Sequence, residues 1–310
     1  DLDGIIDVVS DRTKVIVAQH SFGIPCNIVP IVKFAKNKNI FLLEDCALTL
    51  GSMRDGRSVG NFGDAALFST DRSKPLNTII GGLVYSKSIE FILELRSVDE
   101  SLDLPSNKQK AIFDFLIFEL KYFDERNVAR FLARSLLKLL VNKLFNLKNT
   151  TPFLDEDSST EFSSSYPYPS RMPPFLAKLG QFELERWGDL KVRRAEVLEQ
   201  FINLSKDTNI HKFLPTAYFD RSLDIIPLRI VWSQDNGEII REGLSVFIDV
   251  SWTWFLKPVV ATKEPLERFK YVQSSCPISE KLGVNMINVP LVTGLNGKNQ
   301  MSKVISIIVD

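Results

Sequence analysis

Residues 14–45 run from an apolar, β-branched stretch, KVIVAQ (14–19), through a helical pattern at 27–39 to a second apolar stretch, IFLLED (40–45). This spacing restricts the fold more than any other feature of the chain. Antiparallel strands can be joined by a tight turn, whereas parallel strands need a crossover of a dozen or more residues, usually a helix. The intervening segment has that length, with Ile28, Ile31, Val32, Phe34 and Ala35 on its apolar side. The predicted unit is a right-handed βαβ crossover in a mostly parallel sheet covered by helices. AALFS (65–69) and LVYS (83–86) read as two further strands, and 88–98 as a helix.

The pattern changes after residue 100. Helical periodicity at about 111–125 and 127–147 gives way to a polar stretch rich in Ser, Thr and Pro at 149–170. A long amphipathic helix is expected from Pro173 to about Leu204, and 206–310 alternates short strands with helices. Four parts follow: a sheet-bearing segment at 1–100, a helical insertion and loop at 101–170, a linking helix at 171–205, and a small α+β domain at 206–310. The fold class is α/β: a three-layer, mostly parallel sheet with a smaller α+β C-terminal domain.

Composition excludes several functions. Formal net charge is zero, so no global field draws the chain to nucleic acid. Cys26, Cys46 and Cys276 are odd in number and far apart, which is neither a disulfide framework nor a zinc pattern and suits a reducing cytoplasm. No apolar run reaches the roughly 18–20 residues of a membrane span. The chain opens on Asp1, with its first strand close behind. It is therefore expected to start inside a longer reading frame.

The chemistry concentrates at one sheet edge. In open parallel sheets, ligands bind beyond the carboxyl ends of the strands. Asp45 ends one strand, and Lys74 follows another past Ser69. A lysine amine beside a strand-end acid is what a pyridoxal phosphate site requires. The lysine forms the Schiff base, and the acid pairs with the pyridinium nitrogen. Equally, a strand-end Asp serves as a turn residue and a loop lysine as a solvated one.

The ordered set of residues resembles the DegT/StrS-type sugar aminotransferases, which are fold-type I pyridoxal phosphate enzymes. In order, the matching features are His20 and Gly23, Glu44-Asp45 with Ala47, and the glycine run Gly56, Gly60, Gly63 with Asp64. Phe68-Ser69, Lys74 five residues after that serine, and Gly81-Gly82 follow. The segments RMPPFLAKLGQFELERWGDLKVRRAEVLEQF (171–201) and CPISEKLGVNMINVPL (276–291) resemble later family elements.

The resemblance implies Lys74 as the Schiff-base lysine and proton shuttle, and Asp45 as the partner of the pyridine nitrogen. Ser69 becomes a phosphate ligand, Ala47 and His20 neighbours of the cofactor, and Arg171 a substrate or interface residue near a dimer interface. It also implies amino transfer, usually from glutamate, to a keto nucleotide-sugar for surface polysaccharide or glycan synthesis, by a cytoplasmic homodimer. The chain departs from the family pattern at Leu48, Leu50, Ile79-Ile80 and Pro169, where polar residues or glycine are usual. The family's Ser-Gly-Thr phosphate loop would lie upstream of Asp1. A catalytically impaired relative acting as a scaffold or membrane-associated binding protein is the second reading.

Residues 126–148 hold six Lys or Arg and no acid. Arg126, Arg130, Arg134 and Lys138 form a basic stripe opposite Val128, Phe131, Leu132, Leu136, Leu139, Leu140 and Leu144. Such a helix suits either a membrane surface or packing on its own protein with a solvated basic face. His211 is expected to be exposed, and Trp252, Trp254 and Phe255 to form a packing corner or subunit contact.

Overall fold

The computed structural model describes residues 1–71, 73–104, 170–245, 248, 255, 258, 266–291 and 301–306. It begins with helix α1 (Leu2–Val8), capped by the Asp1 side chain on the Gly4 amide at 2.8 Å. Strand β1 (Val15–Gln19), helix α2 (Ile28–Lys38) and strand β2 (Phe41–Asp45) then form the expected parallel βαβ unit. Ile28, Ile31 and Ala35 recur at helical spacing and are buried on the sheet with Ile16, Ala18 and Leu42. The helix stops at Asn39, whose left-handed backbone (φ 53°) returns its amide to the last carbonyls.

Two-residue strands β3 (Met53–Arg54) and β4 (Arg57–Ser58) form a small hairpin before β5 (Ala65–Ser69) and β6 (Gly82–Ser86). The main sheet has the order β1-β2-β5-β6. β2 and β5 are parallel, but β6 runs antiparallel to β5. The direction of pairing is not written in a strand's own residue pattern, and here the loop between β5 and β6 reverses the chain. The sheet is thus mixed, within an α/β architecture.

Both faces of the sheet were expected to be covered. Among the described residues only one face is densely packed. On the other, Val15 and Val17 are 49% and 58% exposed. Helix α3 (Ile89–Ser101) reaches that face where Phe91 meets Phe41, ring centroids 5.3 Å apart.

The long helix α4 (Pro174–Ser205) lies within a residue of its expected span, with proline in its first turn. After it come β7 (Leu223–Asp224), β8 (Arg229–Ser233), α5 (Gly237–Ser245), α6 (Pro277–Asn285) and β9 (Met286–Pro290). β8 and β9 pair antiparallel. Their buried residues Ile230, Trp232, Ile287 and Val289 share a core with Val197, Leu198 and Phe201 of α4.

The two parts meet tightly. β7 pairs with β3, and Ser52 Oγ donates to the Gly23 carbonyl at 2.6 Å and accepts the Ile226 amide at 2.9 Å. Gly23 (φ +93°) lies so close to Ile226 that a Cβ would fall 2.2 Å from its carbonyl oxygen. His211 is half-buried rather than exposed, because Ser205 at the end of α4 holds its Nδ1 at 3.1 Å. Phe255 packs edge-on against Phe22. Trp252, Trp254, the helical patterns at 111–147 and the basic stripe at 126–148 lie outside the described residues.

Candidate active site

Side chains alternate across a strand, so in-register residues of neighbouring strands share a face. Gln19, Asp45 and Leu67 are in register, and Ser69 lies two residues beyond Leu67. Asp45 and Ser69 therefore share one face at the carboxyl ends of adjacent parallel strands. Asp45 is half-buried and fixed at both oxygens. Oδ1 accepts the Ala47 amide at 2.9 Å, and Oδ2 accepts Gln19 Nε2 at 3.3 Å. Ala47 thus acts through its backbone.

Lys74 sits in the loop that joins β5 to β6 and is buried, 8% exposed. The loop is tied at its neck. The Thr70 amide donates to the Gly81 carbonyl at 3.0 Å, the Thr78 amide to the Thr70 carbonyl at 2.8 Å, and the two threonine hydroxyls pair at 2.6 Å. Ile79 is buried with φ 71°, a conformation that disfavours a β-branched residue and that the glycine usual there would adopt freely. Its amide is held by Asn77 Oδ1 at 2.8 Å.

Inside the loop, Asp71 joins the candidate residues. Its Oδ2 lies 3.6 Å from Lys74 Nζ and accepts the Ser69 hydroxyl at 3.3 Å. Its Oδ1 accepts the Ser73 amide and hydroxyl, each at 2.6 Å. The sequence reading passed over Asp71. Its i,i+3 spacing to Lys74 becomes a contact only once the loop turns.

Arg171 lies beside this loop but is not aimed by it. Its Nε pairs with Asp99 of α3 at 3.3 Å, and its amide donates to the Asp103 carbonyl at 3.0 Å. The neighbouring Met172 packs against Gly81, where a Cβ would meet Met172 Cε at 2.3 Å.

His20 is placed elsewhere. It pairs with Glu44, on the face opposite Asp45, and both are fully buried. Glu44 Oε1 accepts the amides of Phe62 and Gly63, each at 2.6 Å. Its Oε2 accepts the Gly60 amide at 2.8 Å and lies 3.1 Å from His20 Nε2. These bonds account for Gly60 and Gly63 of the glycine run, whose turn cradles a carboxylate with backbone amides. Gly63 also passes so close to Leu42 that a Cβ would fall 2.6 Å from its carbonyl oxygen.

Burial raises the Glu44 pKa, but His20 and the amides of Gly63 and Gly60 outweigh it and hold the carboxyl below its ordinary value. His20 Nδ1 accepts the Cys26 amide at 3.0 Å, so the ring proton is on Nε2 and points at Glu44. Burial opposes charging the ring, as does the Cys26 amide. We therefore assign it the neutral form, although the Cys26 and Cys46 side chains and Glu44 pull its pKa above the ordinary 6.5.

Burial pushes the Cys46 thiol up. The ligand atoms of His20, Glu44 and Cys46 lie within 4.8 Å of one another. Glu44 and His20 already spend their lone pairs on amides and on each other, so the cluster is a structural lock.

Leu48 departs from the family pattern by packing. It is buried among Phe22, Leu228 and Val231 and links the sheet to the C-terminal part.

The residues present fit pyridoxal phosphate in their donor chemistry: a buried amine, an oriented carboxylate at the end of the neighbouring strand and a hydroxyl on the same face as that carboxylate. Asp71 is the discordant group.

Comparison with known proteins bears on the family pattern and the fold. Residues 1–101 match the DegT/DnrJ/EryC1/StrS aminotransferase family model. The chain is 42% identical over 76 residues to GDP-perosamine synthase of Escherichia coli O157:H7, covering 24% of this chain and 21% of that protein. The solved aminotransferase from Psychrobacter cryohalolentis superposes with a TM-score of 0.65 at 18% identity, covering 99% of this chain and 71% of that one. Escherichia coli GDP-4-keto-6-deoxy-D-mannose-3-dehydratase, solved with bound hydrated pyridoxal phosphate, gives 0.64 at 18%, covering 100% and 70%. The first curated relatives are matched over only 21% to 26% of their own length. Residues 1–101 thus carry the pattern of the DegT/DnrJ/EryC1/StrS aminotransferase family, and the chain shares the fold of the solved aminotransferases it resembles.

Proposed function

We propose that the protein is a pyridoxal phosphate-dependent aminotransferase that moves an amino group, from glutamate, to a keto nucleotide-sugar destined for a surface glycan. The observation that carries this reading is the placement of a buried lysine, Lys74, at the same strand-end edge as the oriented carboxylate of Asp45. The names of the relatives, a perosamine synthase and a keto-sugar dehydratase among them, support the substrate class.

When bound, the cofactor supplies a carbonyl for an amine and a ring that withdraws electrons. The residues supply the rest. Asp45, aligned by the Ala47 amide and Gln19, would hold a proton on the ring nitrogen. Lys74 would offer its Nζ as the anchoring amine and then carry a proton at that atom between the substrate carbon that bears the nitrogen and the cofactor's former carbonyl carbon. Ser69 would donate its hydroxyl to a phosphate oxygen. Buried Thr70, Thr78 and Ile79 would exclude water from the lysine's side.

His20 is proposed as a positioning residue that acts through Glu44, the neighbour of Asp45. Arg171 is proposed at the mouth of the site, near a homodimer interface. The reading places the protein in the cytoplasm. No described helix is long and apolar enough to cross a membrane. Contact with a membrane surface through 126–148 remains part of the proposal, tested by co-sedimentation with anionic vesicles; failure to bind removes it.

Titration of the intact protein with pyridoxal phosphate tests the reading. A visible absorbance band that borohydride bleaches while fixing the cofactor onto the Lys74 peptide, absent in Lys74→Ala, is expected. A folded protein that gives no such band overturns it.

A further inference from the structure

Resting on that reading, we propose that Asp71 is an internal anion competing with the cofactor's phosphate, and so sets the preference of this site for phosphorylated over unphosphorylated ligands.

A serine hydroxyl has a single hydrogen. Ser69 gives it to Asp71 Oδ2 at 3.3 Å, so it cannot at the same time donate to a phosphate oxygen. The same Oδ2 faces Lys74 Nζ at 3.6 Å. One carboxylate oxygen thus engages both the hydroxyl and the amine that the proposed function assigns to the cofactor. The Asp71 side chain is 29% exposed and that of Lys74 only 5%, so the pair faces an edge where water screens it partly.

A dianionic phosphate brought to Ser69 would meet like charge. Loading the site requires Asp71 to turn away from Ser69 and Lys74, while its other oxygen is held by the Ser73 amide and hydroxyl. An aldehyde without a phosphate would not meet this repulsion.

The substitution Asp71→Asn isolates the charge. The amide oxygen still accepts from Ser73, so the turn is kept, and Asp71→Ser serves as a second variant. The intact protein and both variants are titrated with pyridoxal phosphate and with pyridoxal by equilibrium dialysis, and inorganic phosphate is added as a competitor. Removing one partly exposed like charge should tighten pyridoxal phosphate by about tenfold. Pyridoxal should change by less than about twofold, because it carries no phosphate to repel. Inorganic phosphate should compete better against both variants than against the intact protein. A residue that only shaped the turn would alter the melting temperature without altering the ratio of the two affinities. If the unaltered protein binds pyridoxal phosphate and both variants keep its preference, the role of Asp71 is overturned and the aminotransferase reading stands. If no form binds pyridoxal phosphate, both are overturned.

Discussion

His20 Nε2 lies 3.1 Å from Glu44 Oε2, while the Cys26 amide donates to His20 Nδ1. The pair closes a ring of donors around Glu44, one residue before Asp45, and three amides from the glycine turn complete it.

Glu44→Gln is expected to destabilise the fold by about 3 kcal/mol, because a side-chain amide must point its own N–H groups at donors. His20 cannot switch tautomer to help, since its Nδ1 is taken. Urea denaturation measures the loss; a change under about 1 kcal/mol would contradict the donor ring.

The same carboxylate sets an acid limit. Its folded-state pKa lies below the ordinary 4.5, so its contribution is fully present above that value and fades as pH falls through the depressed one. Stability followed by denaturant midpoint should fall as the medium is acidified below pH 4.5, and the fall should be shallower in Glu44→Gln. An identical acid profile in the variant would assign the limit to other groups.

Two glycines with positive φ should respond differently to alanine. At Gly23 the added Cβ would collide with the Ile226 carbonyl, and at Gly56 it would meet nothing within 4 Å. Gly56→Ala should cost about 1 kcal/mol, the strain of the left-handed backbone alone. Gly23→Ala should cost more than about 2 kcal/mol, since the junction must also move. Equal losses in thermal melts would mean that the junction yields freely.

Leu48→Gln supplies the polar group usual in the family, yet it should lower stability by about 2 kcal/mol. Phe22, Leu228 and Val231 offer an amide no side-chain partner. Calorimetry decides, and a gain in melting temperature would sink the packing account.

Asp45→Asn should keep the Ala47 bond but lose the charge proposed to hold the ring proton. Amino transfer should fall by about 10²-fold or more with the fold intact. An unchanged rate would remove Asp45 from the chemistry.

Local periodicity carried much of the fold. The βαβ unit, the strands at 65–69 and 83–86 and the long helix were legible because burial repeats at strand or helix spacing. The antiparallel turn of β6 and the pairing of β3 with β7 were not, because two-residue strands have no period and their partners lie far along the chain. Asp45, Ser69 and Lys74 were legible as an ordered set. Glu44 was visible only as a second acid, since the amides that explain it come from a turn whose path depends on Gly60 and Gly63. His20 read as a cofactor neighbour because sequence order does not say on which face of the sheet a side chain lands.

The neck of the lysine loop has one more consequence. With Thr70 bonded to Gly81 and Thr78 bonded back to Thr70, the loop is pinned where it leaves and rejoins the sheet. Lys74 is then a lever on a fixed pivot. In the role proposed for it, its amine would reach different atoms by turning its own methylene chain through successive rotamers, while the backbone of the loop stayed where the threonines hold it.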